Sequence, residues 1–463
     1  MSRIFGTDGI RGVANQYPIT VETGVKLGKA VAACFMDQAK APMIIIGRDS
    51  RISGEMFENA LVAGICSMGA HVGLVGVLPT PGVAFVTSSI KEAVAGIVIS
   101  ASHNPHTDNG FKVFNAHGFK LTDEIEADIE KRMLQDISAD SLAPGGSDSK
   151  KTAPPEPLFE PGQIVKMDQA SDAYIDFLFH AARRVSLENI KLVIDCSNGA
   201  TSDIAPRLFS RLGARVETLS AAPDGKNIND GCGSQNPESL RRAVLEKKAD
   251  IGLAFDGDGD RVTAVDETGN VLTGDQSILI CAKDSLANNE LKNNVVTTTT
   301  MSNIGLIKAL GELGIAHVQS DVGDRHVLCE MQKSGGVIGG EDSGHIIFLN
   351  HHTTGDGILA GLMLLKAMLN QSQPLSGLSR AMTVYPQSMI NVAVAEKTPI
   401  TDVPEIGAII KKIEKKLGAN GRVLARYSGT EPCMRIMTEG PSKEKTAQYC
   451  REIADVVQRE IGK

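Results

Sequence analysis

The chain has 463 residues, too many for a single hydrophobic core, and its length alone points to three or four domains. Apolar residues make up 42% and charged residues 22%, the balance of an ordinary globular protein. A net charge of −8, no tryptophan and 4% aromatic residues leave neither a basic surface nor a stacking platform for nucleic acid, and argue against an anionic membrane as partner. No window approaches the ~20 apolar residues of a membrane span. The cysteines at 34, 66, 196, 232, 281, 329, 433 and 450 are scattered with no C-x-x-C pair, so neither a zinc site nor a disulfide framework is expected. The opening MSRIFGTDGIRG lacks the apolar stretch of a signal peptide, and a cytoplasmic location is expected.

FGTDGIRG (5–12) reads as a tight glycine turn presenting Arg11. A helix over 21–38 precedes a strand at 43–46, which ends in the polar turn GRDSR. Ser53 is placed to cap a helix reaching Met68. A strand at 72–77, a helix at 80–89 and a strand at 94–99 follow, giving β-α-β-α-β and a mainly parallel sheet. Residues 112–114 and 119–121 flank NAHG as a hairpin, and a helix starts at Thr122 and Asp123. Ser138 to Gly162 is rich in Ser, Pro, Gly and Asp without periodicity, and reads as an interdomain linker.

Beyond it come a helix at 171–185, strand 191–195, helix 200–212, strand 215–219, a helix opened by Asn236-Pro237-Glu238, and strands 250–255 and 262–265. Helices at 275–286, 304–313, 325–332 and 356–369 then alternate with strands at 294–300, 316–319 and 346–349. The last ~80 residues carry shorter strands and two helices, and read as a small α+β domain. The expected boundaries are 1–150, 163–254, 255–370 and 378–463. IIIGRDSR, IVISASHN, LVIDCSNG, LAFDGDGD and VIGGEDSG each run an apolar strand into a polar turn, hinting at related α/β units.

IVISASHNP (97–105) delivers Ser102 to the carboxyl end of a strand, where open α/β sheets place ligands. Ser102 is a candidate nucleophile or phosphate carrier, although Ser and Asn at such a place equally serve to bond the turn itself. Asp256, Asp258 and Asp260 stand at i, i+2 and i+4 with glycines between them and Arg261 beyond. Three carboxylates so close call for a divalent cation or a set of basic partners, and oxygen-only ligands suit Mg²⁺ or Ca²⁺ rather than zinc. An EF-hand loop is disfavoured: the sixth position is Arg261 rather than Gly, and the flanks read as strands. RYSGTEP (426–432) with Arg435 offers arginines, hydroxyls and a glycine amide for phosphate; GEDSGH (340–345) offers Glu341, Ser343 and His345 for sugar hydroxyls.

FGTDGIRG, SASHNP, DGDGDR, GEDSGH and RYSGTEP, in this order across almost the whole chain, resemble the motifs of the α-D-phosphohexomutases. Ser100 in ISASHNP, NINDGCGS (227–234) and TTGDG (353–357) resemble a bacterial branch acting on an amino-sugar phosphate. The resemblance implies three α/β domains with mixed, largely parallel sheets plus a smaller C-terminal α+β domain around a central cleft. It implies a phosphoserine at Ser102 and Mg²⁺ held by that phosphate with Asp256, Asp258 and Asp260. Glu341 and Ser343 would meet the sugar. Arg426, Ser428, Gly429, Thr430 and Arg435 would grip the non-reacting phosphate. Arg11, His103, Lys112 and His345 would surround the transfer.

The implied reaction interconverts glucosamine 6-phosphate and glucosamine 1-phosphate through a 1,6-bisphosphate, feeding cell-wall precursors. The implied partner is a small sugar phosphate, and the implied assembly a homodimer. Asp342 stands where the branch has Gln, Tyr427 is bulkier than usual, and Thr273 replaces an Asp. A metal-dependent phosphatase and a non-catalytic Ca²⁺ or sugar-binding protein are the rival readings.

Overall fold

The computed structural model describes residues 3–6, 8–135, 160–182, 185–428 and 432–463. Two compact units are present: Met1–Thr300 with Ala316–Ser379, and Met301–Ile315 with Arg380–Lys463. Most of the expected linker, its residues 138–159, lies outside the described residues.

The larger unit opens with β1 (Ile10–Val13), α1 (Val21–Phe35), β2 (Met43–Arg48), α2 (Gly54–Ser67), β3 (His71–Val77), α3 (Thr80–Ser89), β4 (Ala93–Ile99), β5 (Asp108–Asn115), α4 (Asp123–Leu134) and β6 (Ile164–Lys166). These strands form one sheet in the order β1-β5-β4-β2-β3-β6. β6, β3, β2 and β4 are parallel, and β5 and β1 close the edge antiparallel. Every residue of β4 is buried, so the strand reads as one unbroken apolar run, as a strand covered on both faces must.

Three local expectations change. FGTDGIRG makes its turn but then continues into β1, paired with β5. Ser53 stands at the N-cap of α2 but its side chain makes no capping bond; its hydroxyl accepts instead from Asn109 Nδ2 at 2.8 Å. The hairpin around NAHG is reduced to a single bridge between Phe114 and Lys120.

The chain continues through α5 (Ala170–Ala181), β7 (Lys191–Asp195), α6 (Thr201–Arg211), β8 (Arg215–Leu219), α7 (Glu238–Lys247), β9 (Ile251–Phe255) and β10 (Val262–Asp266). The sheet order is β10-β9-β7-β8, with only β10 antiparallel. This sheet runs through the boundary expected after residue 254: DGDGDR is the connection between the paired strands β9 and β10 and belongs with the second sheet.

Next come α8 (Gly274–Ala287), β11 (Val295–Thr299), α9 (Ile304–Glu312), β12 (Ala316–Ser320), α10 (Asp324–Ser334), β13 (Ile338–Gly340), β14 (Ile346–Phe348), α11 (Gly357–Gln371) and the short α12 (Leu375–Ser379). The third sheet is β12-β11-β13-β14, again with only the last strand antiparallel. All three sheets therefore share one arrangement, as the recurring strand-to-turn pattern hinted. In each, the last parallel strand returns as an antiparallel neighbour. The three returns carry SASHNP, DGDGDR and GEDSGH.

The smaller unit contains β15 (Gln387–Ala393), α13 (Pro404–Leu417), β16 (Arg422–Tyr427), β17 (Cys433–Glu439) and α14 (Lys443–Ile461), in an antiparallel sheet of order β15-β17-β16. Ile390, Val392, Ile406, Ile413, Ile436 and Ile453 belong to its own core. α9 belongs to this unit as well: Glu439, fully buried, accepts from Ile304 N at 3.0 Å, and Asn303 exchanges bonds with Tyr385.

Candidate active site

Ser102 is fully buried and stands in the left-handed region at φ 53°. That conformation aims its hydroxyl at the second sheet, where Oγ donates to Asp256 Oδ2 at 2.6 Å. The neighbouring His103 brings Nδ1 to 3.3 Å from Oγ and 3.2 Å from Arg261 Nη1. Burial, reinforced by Arg261 and Arg11, lowers the His103 pKa to about 4, so this imidazole is neutral at pH 7.

Asp256, Asp258 and Asp260 each offer a ligand oxygen, all lying within 4.8 Å of one another, and all three are buried. Lys112 Nζ donates to Asp258 Oδ2 at 2.7 Å and to Asp260 Oδ2 at 3.0 Å, and Thr80 Oγ1 donates to Asp258 Oδ2 at 2.7 Å. The other oxygens, Asp258 Oδ1 and Asp260 Oδ1, are buried without a hydrogen-bond partner among the described residues, and Asp260 Oδ1 has only the longer ion pairs of Arg261 and His345, each at 3.7 Å. Orphaned carboxylate oxygens at such a site are costly unless a cation satisfies them, and an oxygen-only set suits a hard divalent ion. These residues fit a metal ion. Burial, then the charges of Asp260 and Asp258, push the Asp256 carboxyl well above the usual range. Burial opposes ionisation of Asp260 too, but Lys112 and His345 outweigh it and hold that carboxyl well below.

Lys112 is buried and faces three carboxylates, Asp8 included at 3.3 Å; they overcome its burial and raise its pKa well above an ordinary lysine. Asp8 also pairs with Arg11 and Lys120, and Lys120 pairs with Asp324. His345 lies between Asp260 (Nδ1 to Oδ1, 3.7 Å) and Asp324 (Nε2 to Oδ2, 3.6 Å). Burial disfavours its imidazolium, but these two carboxylates prevail and raise its pKa. A cavity of about 290 Å³ opens beside this lattice, lined by Ile4, Gly6, Asp8, Gly9, Arg11 and Arg261.

GEDSGH forms a tight return in which Glu341 N donates to His345 O at 3.0 Å and Gly344 N to Glu341 O at 3.0 Å. Glu341 Oε1 accepts from Gly323 N at 3.0 Å, and Ser343 Oγ is buried with no partner among the described residues. Asp342 faces away from this polar work, its Oδ1 accepting from Asp275 N at 3.2 Å. Thr273 caps α8 in a reciprocal capping box with Gln276. Gly355 of TTGDG lies against His345: a Cβ there would sit 2.4 Å from the ring.

In the smaller unit, Arg426 on β16 stands directly opposite Arg435 on β17. Like charges at opposed positions of an antiparallel pair repel, and an anion relieves the repulsion. Ser428 is buried, its N donates to Cys433 O at 2.9 Å, and Lys397 Nζ donates to its carbonyl at 2.7 Å. Tyr427 donates its hydroxyl to Thr398 O. Gly429 and Thr430 lie outside the described residues.

Residues 2–140, 172–269 and 273–385 match the phosphoglucomutase/phosphomannomutase α/β/α domains I, II and III, and 389–456 match the C-terminal domain. The chain belongs to the phosphoglucomutase/phosphomannomutase family. It is 53% identical over 463 residues to the phosphoglucosamine mutase of Syntrophus aciditrophicus (strain SB), with 100% of both chains covered. It is 50% identical over 463 residues to that of Syntrophobacter fumaroxidans, again with 100% of both covered. The fold is similar to that of a phosphoglucomutase/phosphomannomutase family protein from Burkholderia thailandensis, with TM-score 0.80, 23% identity, and 99% and 97% of the two chains covered. It is also similar to Aspergillus fumigatus N-acetylphosphoglucosamine mutase in complex with GlcNAc-6P and magnesium, with TM-score 0.70, 18% identity, and 98% and 95% covered.

In this phosphoglucomutase/phosphomannomutase family member the structure brings Ser102, His103, Arg11, Lys112, the three aspartates and His345 into one lattice. Sequence reading missed Asp8, Thr80, Lys120 and Asp324, which hold that lattice. Asp8 stood inside a motif already singled out. Thr80 and Lys120 carry no local signal. No helix among the described residues is long and apolar enough to cross a membrane.

Proposed function

We propose that this family member interconverts glucosamine 6-phosphate and glucosamine 1-phosphate, with a phosphorylated Ser102 as carrier and Mg²⁺ as the metal. The observation that carries the reading is the Ser102 hydroxyl 2.6 Å from a buried aspartate triad in which two oxygens accept no hydrogen bond from the described residues. Asp256, Asp258 and Asp260, with the phosphoserine, are the residues that would hold Mg²⁺. When bound, the ion supplies positive charge against the oxygens of the transferring group.

The chain's own residues do the rest. Sugar O1 attacks phosphorus as its proton passes to His345, which enters this step as the neutral imidazole and leaves it as the imidazolium that Asp260 and Asp324 favour; the O1–P bond forms, the Oγ–P bond breaks, and its electron pair stays on Ser102 Oγ. After the bisphosphate reorients, Oγ attacks the 6-phosphate, and O6 leaves with the proton that His345 returns. Lys112 and Arg11 contribute fixed positive charge beside the transfer. Glu341 and Ser343 meet the sugar hydroxyls. Arg426, Ser428 and Arg435, with Gly429 and Thr430, hold the phosphate that is not reacting. The relatives at half identity, each a phosphoglucosamine mutase, support the choice of sugar.

The test is ³¹P NMR of the phosphorylated, Mg²⁺-loaded protein with glucosamine 6-phosphate and, separately, glucose and mannose 6-phosphates. Conversion of the glucosamine ester with Ser102→Ala inactive is the expected result. Faster conversion of glucose or mannose phosphate would move the chain to a sister substrate. Release of inorganic phosphate as the main product would make it a phosphatase, and turnover by Ser102→Ala would remove the carrier.

A further inference from the structure

GRDSR and NINDGCGS contribute nothing to the transfer described above, yet both converge on the Ser102 loop. Arg51 is large, charged and fully buried. Its Nε donates to Asp49 Oδ2 at 2.8 Å. Its Nη2 donates to the carbonyls of Ser102 at 2.9 Å and Asn104 at 2.8 Å. Its Nη1 donates to the carbonyls of Asp108, at 3.0 Å, and Pro105. A guanidinium has five N–H donors, and all five are used. Four of them fix four carbonyls of one loop, a task a lysine with three donors on a single atom does not reproduce.

Asn229 closes the arrangement from the second sheet's side. Its Nδ2 donates to the same two carbonyls, Ser102 O at 2.9 Å and Asn104 O at 3.0 Å, so each accepts twice. Asp49 completes the ring: its Oδ2 accepts from Ser100 Oγ at 2.6 Å, and Ser100 Oγ accepts from Ser102 N at 2.9 Å. Both main-chain groups of Ser102 are thereby held, and only its side chain is turned to the metal loop. Further bonds keep Arg51 and Asn229 in step: Ser50 Oγ donates to Asn198 O at 2.5 Å and Ile52 N to Gly225 O at 2.9 Å.

We propose that Arg51 and Asn229 are positioning residues that clamp the main chain of the Ser102 loop from two sides and so fix the line along which Oγ gives and takes the phosphoryl group. The inference rests on Ser102 being the carrier. Phosphoryl transfer depends on alignment, and the same Oγ is used twice per turnover, so a loosened loop lowers the transfer rate rather than substrate affinity.

Asn229→Gly isolates the clamp, because Asn229 stands at φ 58°, which glycine accepts without strain. The expected result is a kcat lower by on the order of 10-fold with KM within about twofold, and faster leakage of phosphoserine to inorganic phosphate. Arg51→Lys is expected to lower kcat by about 10²-fold where it folds. The experiment compares steady-state constants, ³¹P-detected phosphoserine hydrolysis and melting temperature for both variants alongside Ser102→Ala. Wild-type kcat in Asn229→Gly, or a loss confined to KM, overturns the clamp. Turnover by Ser102→Ala overturns the carrier reading instead, so the two failures are distinguishable.

Discussion

The first and second sheets of the larger unit are built alike but hold their loops by opposite means. In both, an aspartate stands at the end of the central parallel strand, Asp49 just after β2 and Asp195 as the last residue of β7, and one of its oxygens accepts from the main chain two residues on. In the first sheet the other oxygen orients a buried arginine, which fixes four carbonyls of the serine loop. In the second it accepts from Gly233 N at 3.0 Å, and the Ser220 side chain also bonds this carboxylate. The metal loop is instead held by main-chain donors: Ala200 N to Gly257 O at 2.8 Å, Thr80 N to Asp258 O at 2.8 Å, and Gly357 N to Gly259 O at 3.0 Å. A loop with one working side chain is immobilised by a buried cation on its carbonyls. A loop with three working carboxylates is held by neutral amides, so Lys112 supplies the charge that meets those carboxylates directly.

The largest difference between the two is expected on removing the equivalent aspartates. Asp49→Ala strands a buried guanidinium without its carboxylate, and should cost about 3–5 kcal/mol of stability. Asp195→Ala leaves two main-chain donors, Ser197 N and Gly233 N, without this acceptor, and should cost about 1–3 kcal/mol. Urea titration of both variants checks the ordering. Equal losses would mean that Arg51 contributes no more than an ordinary neutral donor.

The next effect falls where the two loops touch. A Cβ on Gly257 would lie 2.7 Å from both Ser102 O and Asn229 Nδ2, with no flexible side-chain end on the Ser102 side to give way. Gly257→Ala should therefore move the serine loop and lower kcat by about 10²-fold while the protein remains folded. Wild-type kcat in this variant would show that the loops tolerate displacement, and would weaken the case for tight alignment.

Much of this was legible beforehand, and what was not has a physical reason. The helix at 80–89 was placed to the residue, because its signals are local. DGDGDR announced itself because three carboxylates in five residues demand a partner. Arg51 did not, since in sequence an arginine in GRDSR is indistinguishable from a solvated one; four of its five acceptors come from residues adjacent only after folding. Ser53 makes no capping bond for the same reason, Asn109 having claimed its hydroxyl. The assignment of α9 to the smaller unit was equally hidden, because it depends on Glu439, more than a hundred residues away.

The third sheet extends the comparison to pH. HHTTGDG fastens it to the rest of the larger unit through two buried groups. His352 Nε2 lies 2.9 Å from Pro81 O while its Nδ1 accepts from Thr353 N, so the neutral Nε2–H tautomer fits. Asp356 caps α11 and accepts from Tyr174 Oη at 2.7 Å. Burial lowers the His352 pKa from 6.5 to about 4, so the folded state binds fewer protons there, and stability is lost as pH falls from 6.5 towards 4. Burial raises Asp356 from 3.8 to about 6, so its contribution is full below 3.8 and is lost as pH rises through 6. Each amounts to about 3 kcal/mol, and over pH 4–6 they act in opposite directions and nearly cancel. Asp356→Asn, which keeps a capping side chain, should make the protein lose stability on acidification across that window, and His352→Gln should make it gain. Denaturant titrations at pH 4, 5 and 6 read both slopes directly. Two variants with the wild-type slope would mean that these joints do not titrate, and that the third sheet is held by neutral contacts alone.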